Sequence, residues 1–422
     1  MLAESDARTL DAQDELPTLR GRFQVPPDPS GRFDEVAYFA GNSLGLQPRA
    51  VEARLLDELR VWKELAVEGH FDAERPWTRY AALLREPSAR LVGALPDETV
   101  VMNSLTVNLH LMMVSFYRPS PQRHAILIED TAFPSDSYAV RSQAAFHGFD
   151  PDEAVIRLKP RAGEAGLRSE DVVDYLRTSG ERVALVLLGA VNYYSGELLD
   201  IEAITRAGHE AGAIVGWDLA HAAGNVELRL HDWDVDWAAW CTYKYLNGGP
   251  GSIAGAFVHQ RHLADRSLPK FSGWWSTNAD TRFLMAPTVD VVDTADSWQL
   301  SCTTVLSLAP VLVSLEIFDS VGFGPLRAKS RRLTGFLEGL LDQADGPIEI
   351  ITPRDDRRRG AQLSVRLGAG LDADDVSRRL RFEHGVMADA RRPDVIRLAP
   401  VPLYSTYHDC WRAATALAAV VS

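Results

Sequence analysis

The stretch GWDLAH at residues 216–221 ends one short apolar run, and the stretch CTYKY at residues 241–245 ends the next one along the chain. Apolar runs bounded by turn residues are typical of buried strands. Ligands of doubly wound sheets bind at the carboxyl ends of strands, and Asp218 and Lys244 both lie at or just past such an end. Their separation, 244 − 218 = 26 residues, leaves room for one short crossover between neighbouring strands. We therefore predict that the two side chains reach one crevice.

Similar runs alternate with helical patterns from about residue 90 to residue 260. They are AILIED (125–130), VALVLLG (183–189), AIVGWD (213–218), WAAWCTY (237–243) and IAGAFVH (253–259). Runs that are apolar throughout are typical of strands buried on both faces, as in α/β proteins with a largely parallel sheet. Between two of these runs, residues 201–211 place apolar side chains at helical spacing, and Gly212 suits the position after a helix. The pattern predicts an α/β fold.

The pattern changes after Trp298. It predicts a long apolar helix at 303–322 with Pro310 inside it, a charged helix at 326–343, short strands at 361–367 and 394–400, and a terminal helix at 411–421. We predict a large domain at 46–310 that contains the mainly parallel sheet, and a small α+β domain at 311–422. Residues 1–45 are expected to pack on the small domain.

Composition narrows the classes of partner and the cellular compartment. The chain has 422 residues and a formal net charge of −14 at pH 7, which disfavours nucleic acid because a surface of this sign repels phosphate. The longest apolar run, 183–191, is shorter than the roughly 20 residues of a membrane helix. The first residues lack the basic and apolar regions of a signal peptide. We expect a cytoplasmic protein with no membrane partner.

The three cysteines, Cys241, Cys302 and Cys410, are odd in number and widely spaced. This spacing gives no metal-ligand motif, and it favours reduced thiols in a reducing compartment. No metal site is expected.

Asp218 and Lys244 together fit the chemistry of pyridoxal 5'-phosphate (PLP). This coenzyme needs a lysine that holds its aldehyde as a Schiff base and an acid that keeps the ring nitrogen protonated. Taken singly, a strand-end aspartate more often caps a turn, and a strand lysine more often marks a solvent-facing edge. Lys244, however, lies between an apolar run and the glycine-rich turn at 245–251, where the backbone can approach a ligand closely. The pair indicates a PLP enzyme.

Long motifs along most of the chain resemble those of the kynureninase family. They are YFAGNSLGLQPRA (38–50), GHFDAERPW (69–77), MNSLTVNLHLMMVSFYRP (102–119), FPSD (133–136), GWDLAHAAGNVELRLHDWDVDWAAWCTYKYLNGGPGSIAGAFVH (216–259) and IRLAPVPLYSTYHD (396–409). The resemblance implies a fold-type I PLP enzyme that is homodimeric. It also implies hydrolysis of the Cβ–Cγ bond of L-kynurenine, 3-hydroxykynurenine or a substituted kynurenine, a small amino-acid substrate, to an anthranilate and L-alanine.

The same resemblance implies which residues hold the coenzyme ring. Lys244 would be the Schiff-base lysine, and Asp218 would face the ring nitrogen. Phe133 would stack on the ring, while Asp136 and His221 would orient the coenzyme and its waters.

A second group of residues is implied at the coenzyme phosphate. Thr106, with the backbone at Leu105, would bind the phosphate, and Trp274 would donate its indole N–H to it. Tyr243 would contact the phosphate and act as a proton donor in catalysis. Cys302 stands where the family often has an asparagine that contacts the phosphate or the aryl group, and a thiol is a poor substitute in hydrogen bonding.

Other implied positions lie at the substrate end. Arg397 would bind the α-carboxylate, because a guanidinium offers two parallel donors to a carboxylate. Ser43 and His70 would line the aryl end of the pocket. Gly189 stands where the family usually has a small polar residue, often serine, so one hydrogen bond near the coenzyme is lost. The departures at Gly189 and Cys302 favour a substituted kynurenine as one candidate substrate.

Two alternatives stay open at this stage. Another fold-type I enzyme, a β-lyase or a desulfurase, would act on a different amino acid; a desulfurase needs a mobile catalytic cysteine, for which Cys302 is the only candidate. A catalytically silent PLP-binding protein is the third, but it has no need for Lys244, Asp218 and Arg397 together. The sequence also leaves open whether the product serves NAD biosynthesis, tryptophan catabolism by the kynurenine pathway, or a secondary metabolite.

Overall fold

A seven-stranded sheet occupies the centre of the computed structural model, which describes residues 3–422. Its strands are β1 (Thr99–Val101), β2 (Ala125–Glu129), β3 (Val155–Leu158), β4 (Val183–Gly189), β5 (Ile214–Asp218), β6 (Trp237–Trp240) and β7 (Gly255–Val258). They lie side by side in the order β1, β7, β6, β5, β4, β2, β3. Strand β7 pairs antiparallel with β1 and β6, and the other neighbouring strands described in this sheet pair in parallel. The expected α/β class with a mainly parallel sheet is confirmed.

The apolar runs of the sequence predict this sheet because its strands are buried on both faces. Strands β2, β6 and β7 are buried along their whole length, and β4 along all but its last residue. Each of the five predicted runs contains one strand. The sequence did not predict β1, which has only three residues, or β3, an edge strand whose last three residues are only partly buried. Short or half-exposed strands carry too weak an apolar signal.

The α-helices of the described chain are divided between this sheet and a smaller C-terminal unit. They are α1 (Glu4–Ala12), α2 (Ala50–Leu65), α3 (Arg85–Val92), α4 (Leu105–Phe116), α5 (Pro134–Phe146), α6 (Pro151–Ala154), α7 (Ser169–Ser179), α8 (Ile201–Glu210), α9 (Gln260–Leu263), α10 (Val305–Val321), α11 (Phe323–Leu341), α12 (Ala373–His384) and α13 (Tyr407–Val421). Helix α8 shows how the sequence sets the bounds. The Asp200 side chain accepts a hydrogen bond from the Ala203 N–H at 2.9 Å and caps its start. Gly212, with φ of 79°, lets the chain turn away after its end.

A second, smaller sheet lies in the C-terminal part of the chain. Its strands are β8 (Ile348–Ile350), β9 (Leu363–Leu367), β10 (Asp389–Arg391) and β11 (Val395–Leu398), and they pair antiparallel in the order β8, β9, β11, β10. Helices α11, α12 and α13 pack their apolar faces against it and form a core separate from that of the central sheet. The expected small α+β unit is therefore present.

The N-terminal residues contact this smaller unit. Helix α1 packs on α13, and the Asp11 carboxylate accepts hydrogen bonds from the Tyr407 and His408 backbone N–H groups at 2.7 and 3.0 Å. Residues 37–38 pair in parallel with residues 386–387. These contacts support the proposal that residues 1–45 pack on the small domain.

Helices α10 and α11 bear on the domain boundary. The predicted boundary at residue 310 lies inside α10, which continues through Pro310, whereas the chain bends by 85° between α10 and α11. Leu308 and Val311 in α10 belong to the core of the central sheet, while Leu333 and Leu337 in α11 belong to that of the small unit. We therefore propose the bend at Gly322 as the boundary.

Helices α10 and α11 reach the length and composition of a membrane span only when both are taken together. No single helix within residues 3–422 does so.

Candidate functional site

A cavity opens where β2, β4 and β5 end, on the side of their carboxyl termini. Its volume is about 150 Å³, and the space counted together with its open mouth is about 720 Å³. Its walls are formed by Ser104, Leu105, Thr106, Glu129, Phe133, Ser135, Asp136, Gly189, Val191, Tyr193, Asp218, Ala220, His221, Tyr243 and Lys244. Eight of the predicted site residues are among them, namely Leu105, Thr106, Phe133, Asp136, Asp218, His221, Tyr243 and Lys244.

Asp218 and Lys244 reach this cavity from neighbouring strands, since β5 and β6 pair in parallel. Lys244 follows β6, and its Nζ lies 3.0 Å from Nε2 of His221. Asp218 is the last residue of β5, and its Oδ1 accepts a hydrogen bond from the Ala220 N–H at 2.6 Å. The structure therefore brings this pair together at the edge of the sheet where ligands of such folds bind.

Carboxyl groups crowd the floor of the cavity. Asp136 and Asp218 are buried next to each other, and burial raises the pKa of each. For Asp136 the charge of Asp218 adds to this effect and holds its pKa well above the usual range, whereas the charge of Lys244 lowers the pKa of both. Asp136 Oδ1 has no hydrogen-bond partner among the described residues. Two acids that share one cation favour a state in which one of them keeps its proton.

His221 is buried beside the lysine. Its burial, together with the charges of Lys244 and Arg397, holds its pKa well below the usual range. A neutral ring can accept the hydrogen bond of the Lys244 ammonium at Nε2, which leaves Nδ1 carrying the proton. That Nδ1 has no partner within residues 3–422. It therefore remains free to donate to a bound molecule or to water.

Aromatic rings flank Lys244. Its Nζ lies 5.9 Å from the ring centroids of both Phe133 and Tyr243. Phe133 stands at the start of α5 and is nearly half exposed, so its face is open to a flat ligand. Burial raises the pKa of Tyr243, so this phenol keeps its proton across the neutral range.

The N-terminus of α4 forms another wall. Ser104 precedes the helix without capping it by a side-chain hydrogen bond, and the first turn holds no acidic residue. The hydroxyls of Thr106 and Ser135 are 2.7 Å apart. Free backbone N–H groups at a helix start, together with two hydroxyls, suit a phosphate group.

The cavity therefore fits PLP in its donor set. A lysine amine, a buried carboxylate, an exposed aromatic face and a helix N-terminus with hydroxyls match in turn the aldehyde, the ring nitrogen, the ring and the phosphate of that coenzyme. The unpartnered Asp136 Oδ1 and His221 Nδ1 are buried polar atoms for which a bound molecule would supply partners.

Arg397 lies behind the cavity wall and is fully buried. It donates to the Tyr193 carbonyl oxygen at 2.6 Å through one nitrogen and pairs with Asp389 through another. Its Nε has no partner among the described residues. Because Tyr193 lines the cavity, Arg397 is separated from the cavity by this single residue.

Ser43 lies outside the cavity walls but on the loop that supports Lys244. Two residues further on, the Gly45 N–H donates to the Tyr243 carbonyl oxygen at 2.8 Å. A side chain at Gly45 would clash with the Lys244 carbonyl oxygen. The glycine thus allows the loop to approach the lysine closely.

His70 and Trp274 lie in an aromatic group away from the cavity. The His70 ring meets Trp77 edge-on at 5.3 Å, and Phe71 beside it contacts Phe283 at 5.3 Å. Phe283 in turn contacts Trp274 at 5.4 Å, and the Trp274 indole N–H donates to the Arg282 carbonyl oxygen at 3.3 Å. Within this one chain neither predicted residue reaches the cavity.

Cys302 lies in a neighbouring depression that shares Ser104 with the cavity. It is the one exposed cysteine within residues 3–422; Cys241 and Cys410 are buried. Burial of its sulfur raises the pKa of Cys302 despite the nearby Arg282. The roles predicted for Ser43, His70, Trp274 and Cys302 stay predictions.

Sequence reasoning missed Glu129, Ser135 and Tyr193, which also line the cavity. Glu129 ends the apolar run of β2 just as Asp218 ends that of β5, so the same signal was available for both. Ser135 follows the predicted Phe133 by two residues. The sequence gives no sign of Tyr193, because it comes after β4 in an irregular segment.

One group outside the cavity brings together potential metal ligands. Donor atoms of Glu98, His231 and His259 lie within 4.8 Å of one another. The two imidazole rings, however, stack at 5.0 Å with 5° between their planes, so their lone pairs do not converge on one point. Glu98 also accepts from the Gln260 N–H, and His259 accepts from the Arg261 N–H. We interpret this group as a tie between the loops around β1 and β7.

Comparison with known proteins gives consistent matches. Residues 326–417, which begin just after the bend at Gly322, match the protein family described as Kynureninase C-terminal domain. The kynureninase of Salinispora tropica is 63% identical over 420 residues, which cover 99% of this chain and 97% of that relative. The kynureninase of Koribacter versatilis is 55% identical over 410 residues, covering 97% of this chain and 96% of the relative.

Solved structures of similar shape carry different activities. The cystine C-S lyase C-DES, in complex with its product cysteine persulfide, has a TM-score of 0.78 at 17% identity and covers 91% of this chain and 97% of its own. The cysteine desulfurase CsdA of Escherichia coli has a TM-score of 0.77 at 17% identity, covering 100% and 98%. A variant of C-DES holds glycine covalently linked to its PLP cofactor, with a TM-score of 0.78 at 18% identity and coverage of 91% and 96%. At these identities the likeness shows the fold-type I architecture and nothing about the substrate.

Proposed function

Because this chain belongs to the kynureninase family, we propose that it hydrolyses the Cβ–Cγ bond of L-kynurenine, 3-hydroxykynurenine or a ring-substituted kynurenine. The products are an anthranilate and L-alanine, so the enzyme is a hydrolase that acts on a carbon–carbon bond of a ketone. The observation that carries the proposal is the meeting of Asp218, His221 and Lys244 in one cavity. Nothing in this geometry favours a different substrate.

We propose PLP as the cofactor, held by the residues that fit its parts. Lys244 would bind its aldehyde, Asp218 its ring nitrogen and Phe133 its ring face, while the start of α4 with Thr106 would bind the phosphate. When bound, PLP supplies an electron sink that stabilises the negative charge left at the substrate Cα. Asp136 and His221 would complete the contacts, since each has a buried polar atom without a partner.

The chain's own proton chemistry follows from the charges of the site. Lys244 Nζ, freed when substrate binds, would take the proton from the substrate Cα. The neutral His221 at 3.0 Å would accept a hydrogen bond from the resulting ammonium and hold it in place. Tyr243, whose pKa is raised by burial, keeps a proton that it can donate to Cβ after the Cβ–Cγ bond breaks. Asp218 must stay ionised throughout to face a protonated ring nitrogen.

Arg397 is the proposed site of the substrate α-carboxylate. It already uses two nitrogens on Asp389 and on the Tyr193 carbonyl, and the buried Nε still lacks a partner. A carboxylate that enters past Tyr193 would meet a guanidinium whose orientation is already fixed. Ser43 and His70 remain proposed contacts of the aryl end.

We also propose a homodimer in which His70, Trp274 and Cys302 serve the site of the other copy. The aromatic group around Trp274 continues into Phe283, Leu284 and Met285, and the last two are 76% and 71% exposed. Apolar exposure on this scale is typical of a protein–protein interface. A second copy on this face would bury it and bring these residues to a cavity that they do not reach within one chain. The free cysteines support a cytoplasmic location, because thiols stay reduced in that compartment.

Product analysis tests the proposed function. Purified protein with PLP would be incubated with L-kynurenine and separately with 3-hydroxykynurenine, and the aromatic product and alanine would be measured. Lys244→Ala is the negative control, and Lys159→Ala, at an exposed lysine, is the matched positive control. We expect anthranilate or its hydroxy form with equimolar alanine, absent from Lys244→Ala alone. No cleavage of either substrate by coenzyme-loaded protein would contradict the proposal.

The desulfurase alternative is weaker on structural grounds. Cys241 and Cys410 are buried. Cys302 is exposed as a residue, but partial burial of its sulfur raises the pKa of its thiol, which lowers the fraction present as thiolate. Release of sulfide from cysteine, lost in Cys302→Ala, would nevertheless favour it. A catalytically silent PLP-binding protein is also less well supported, because Asp218, Lys244 and Arg397 would all be retained without a use.

A further inference from the structure

Three neighbouring strands end at the cavity with a distinctive set of residues. β2 ends in Glu129, β4 in Gly189 and β5 in Asp218, and Gly189 pairs directly with Asp218 across the sheet. The middle strand thus ends without a side chain, between two carboxyl groups. A Cβ built on Gly189 would come 3.2 Å from Glu129 Oε1, so this glycine leaves a small open space directly against that oxygen.

The partner of Glu129 defines which of its oxygens faces this space. Asn192 Oδ1 accepts hydrogen bonds from the Tyr194 and Ser195 N–H groups at 2.9 and 2.8 Å, which fixes the orientation of its amide. Its Nδ2 therefore donates to Glu129 Oε2, at 2.8 Å. No partner of Oε1 is found in the part of the chain that the structure describes. When Glu129 carries a proton, Oε1 is the oxygen that holds it.

The charges around Glu129 favour that proton. The titratable groups whose charges act on it are Asp218 from β5 and Glu197 from the segment after β4, and both are acids. The charge of Glu129 in turn raises the pKa of Asp136 on α5. Burial, with the charges of Asp218 and Glu197, raises the pKa of Glu129 to about 7, against the opposing effect of the Asn192 hydrogen bond. Ionised Glu129 would face two or three further negative charges in a buried site.

We propose that Glu129 is a positioning residue of this site, which in its neutral form donates a hydrogen bond from Oε1, through water in the space left by Gly189, toward Asp218. A hydrogen bond to the ionised form of Asp218 stabilises that form. The carboxylate of Asp218 thereby stays charged opposite the coenzyme ring nitrogen, although burial works against its charge. The inference rests on the proposed binding of PLP, but it does not depend on which substrate is cleaved.

The sign of the pH dependence follows from this arrangement. Below the pKa of Glu129 its proton is present and Asp218 receives the hydrogen bond. As pH rises through that value the proton is lost, a second anion forms across the end of β4 from Asp218, and the environment of the coenzyme ring changes. The absorbance of the bound coenzyme, recorded without substrate, should therefore show a step in the neutral range.

The first test compares the pH dependence of this absorbance in holoenzyme variants. Glu129→Gln keeps the size of the side chain but cannot titrate, so we expect the step to disappear. Glu98→Gln, at another fully buried glutamate that lies outside the cavity, should keep it. The same step in Glu129→Gln as in the wild type would overturn the inference, whereas kynurenine cleavage by the wild type would stand unaffected. If the wild type shows the step but does not cleave kynurenine, that result would instead contradict the proposed function.

A second measurement tests the protonation of Glu129 where the Glu129→Gln variant fails to fold or the coenzyme absorbance does not respond to that protonation. Wild-type holoenzyme labelled with ¹³C at the glutamate side-chain carboxyls would be titrated by infrared spectroscopy. We expect a neutral carboxylic acid band at a pH about one unit below 7 that is lost about one unit above it. In Gly189→Ala the added methyl would displace water from Oε1 and remove the hydrogen bond that the neutral acid donates toward Asp218, so the pH at which the band is lost should change. Absence of the band in the wild type at the lower pH, or a band unmoved in Gly189→Ala, would overturn the inference.

Discussion

The coenzyme end and the substrate end of this site are built in different ways. At the coenzyme end, the ends of β2, β4, β5 and β6 and the starts of α4 and α5 bring the predicted side chains into one cavity. Outside this cavity, His70, predicted at the substrate end, and Trp274, predicted at the coenzyme phosphate, lie on an exposed aromatic surface, and Cys302 lies in a neighbouring depression. We propose that one chain forms the cavity around Lys244 alone, whereas the residues that lie outside it complete the site of a second copy.

The largest effect is expected at the coenzyme end, where Asp218→Asn removes the charge that faces the ring nitrogen. The ring would lose its proton and with it most of its power to stabilise negative charge at Cα. We expect kcat to fall by about 10³-fold, within the range of effects of proton-transfer groups. Asp232→Asn, at an exposed aspartate, is the control, and steady-state kinetics at saturating PLP is the measurement. A loss of less than tenfold would mean that the coenzyme end is not organised around Asp218.

The two ends also differ in how far the sequence predicts them. Asp218 and Lys244 could be paired because each ends an apolar run, and parallel strand ends meet at one edge of a sheet. Glu129 ends such a run too, but only the strand order reveals that β2 lies two strands from β5, next to β4. No pattern along one chain can show that Trp274 stays out of the cavity, because that depends on the tertiary path of an irregular segment.

A smaller effect is expected at Arg397, the proposed site of the substrate α-carboxylate. Arg397→Lys keeps the charge that Asp389 needs but loses the fork geometry of the guanidinium. We expect KM for kynurenine to rise by about 10- to 100-fold with little change in kcat, as for the loss of one charge-assisted hydrogen bond. Arg391→Lys is the matched control, since Arg391 also pairs with Asp389 but is partly exposed. An unchanged KM in Arg397→Lys would remove Arg397 from the substrate end.

A mixing experiment tests directly whether Trp274 completes the site of a second copy. Trp274→Ala alone should lower activity by about tenfold, the value of one lost hydrogen bond. If Trp274 serves the other copy, mixed dimers with Lys244→Ala contain one intact site. Random association then restores about a quarter of wild-type activity.

The opposite outcome of that mixture is equally distinct. If Trp274 serves its own chain, no mixed dimer has an intact site, and activity stays at about a twentieth of the wild type. The subunits would be unfolded together and refolded with PLP, and initial rates would be compared with those of each variant alone. A value near a twentieth, or an active monomer on a sizing column, would contradict a shared site.

The smallest effect is expected at Cys302, where the resemblance to the family leads us to expect an asparagine. A thiol is a weak hydrogen-bond donor, whereas the asparagine amide offers two donors and an acceptor. If the side chain at 302 contacts the phosphate or the aryl group of the other copy's site, Cys302→Asn should raise kcat/KM for kynurenine by about threefold, the value of one modest hydrogen bond. Cys302→Ala provides no donor and should give no gain, so it separates a new hydrogen bond from mere loss of the thiol. Equal gains in both variants would show that position 302 acts through packing and not through a hydrogen bond.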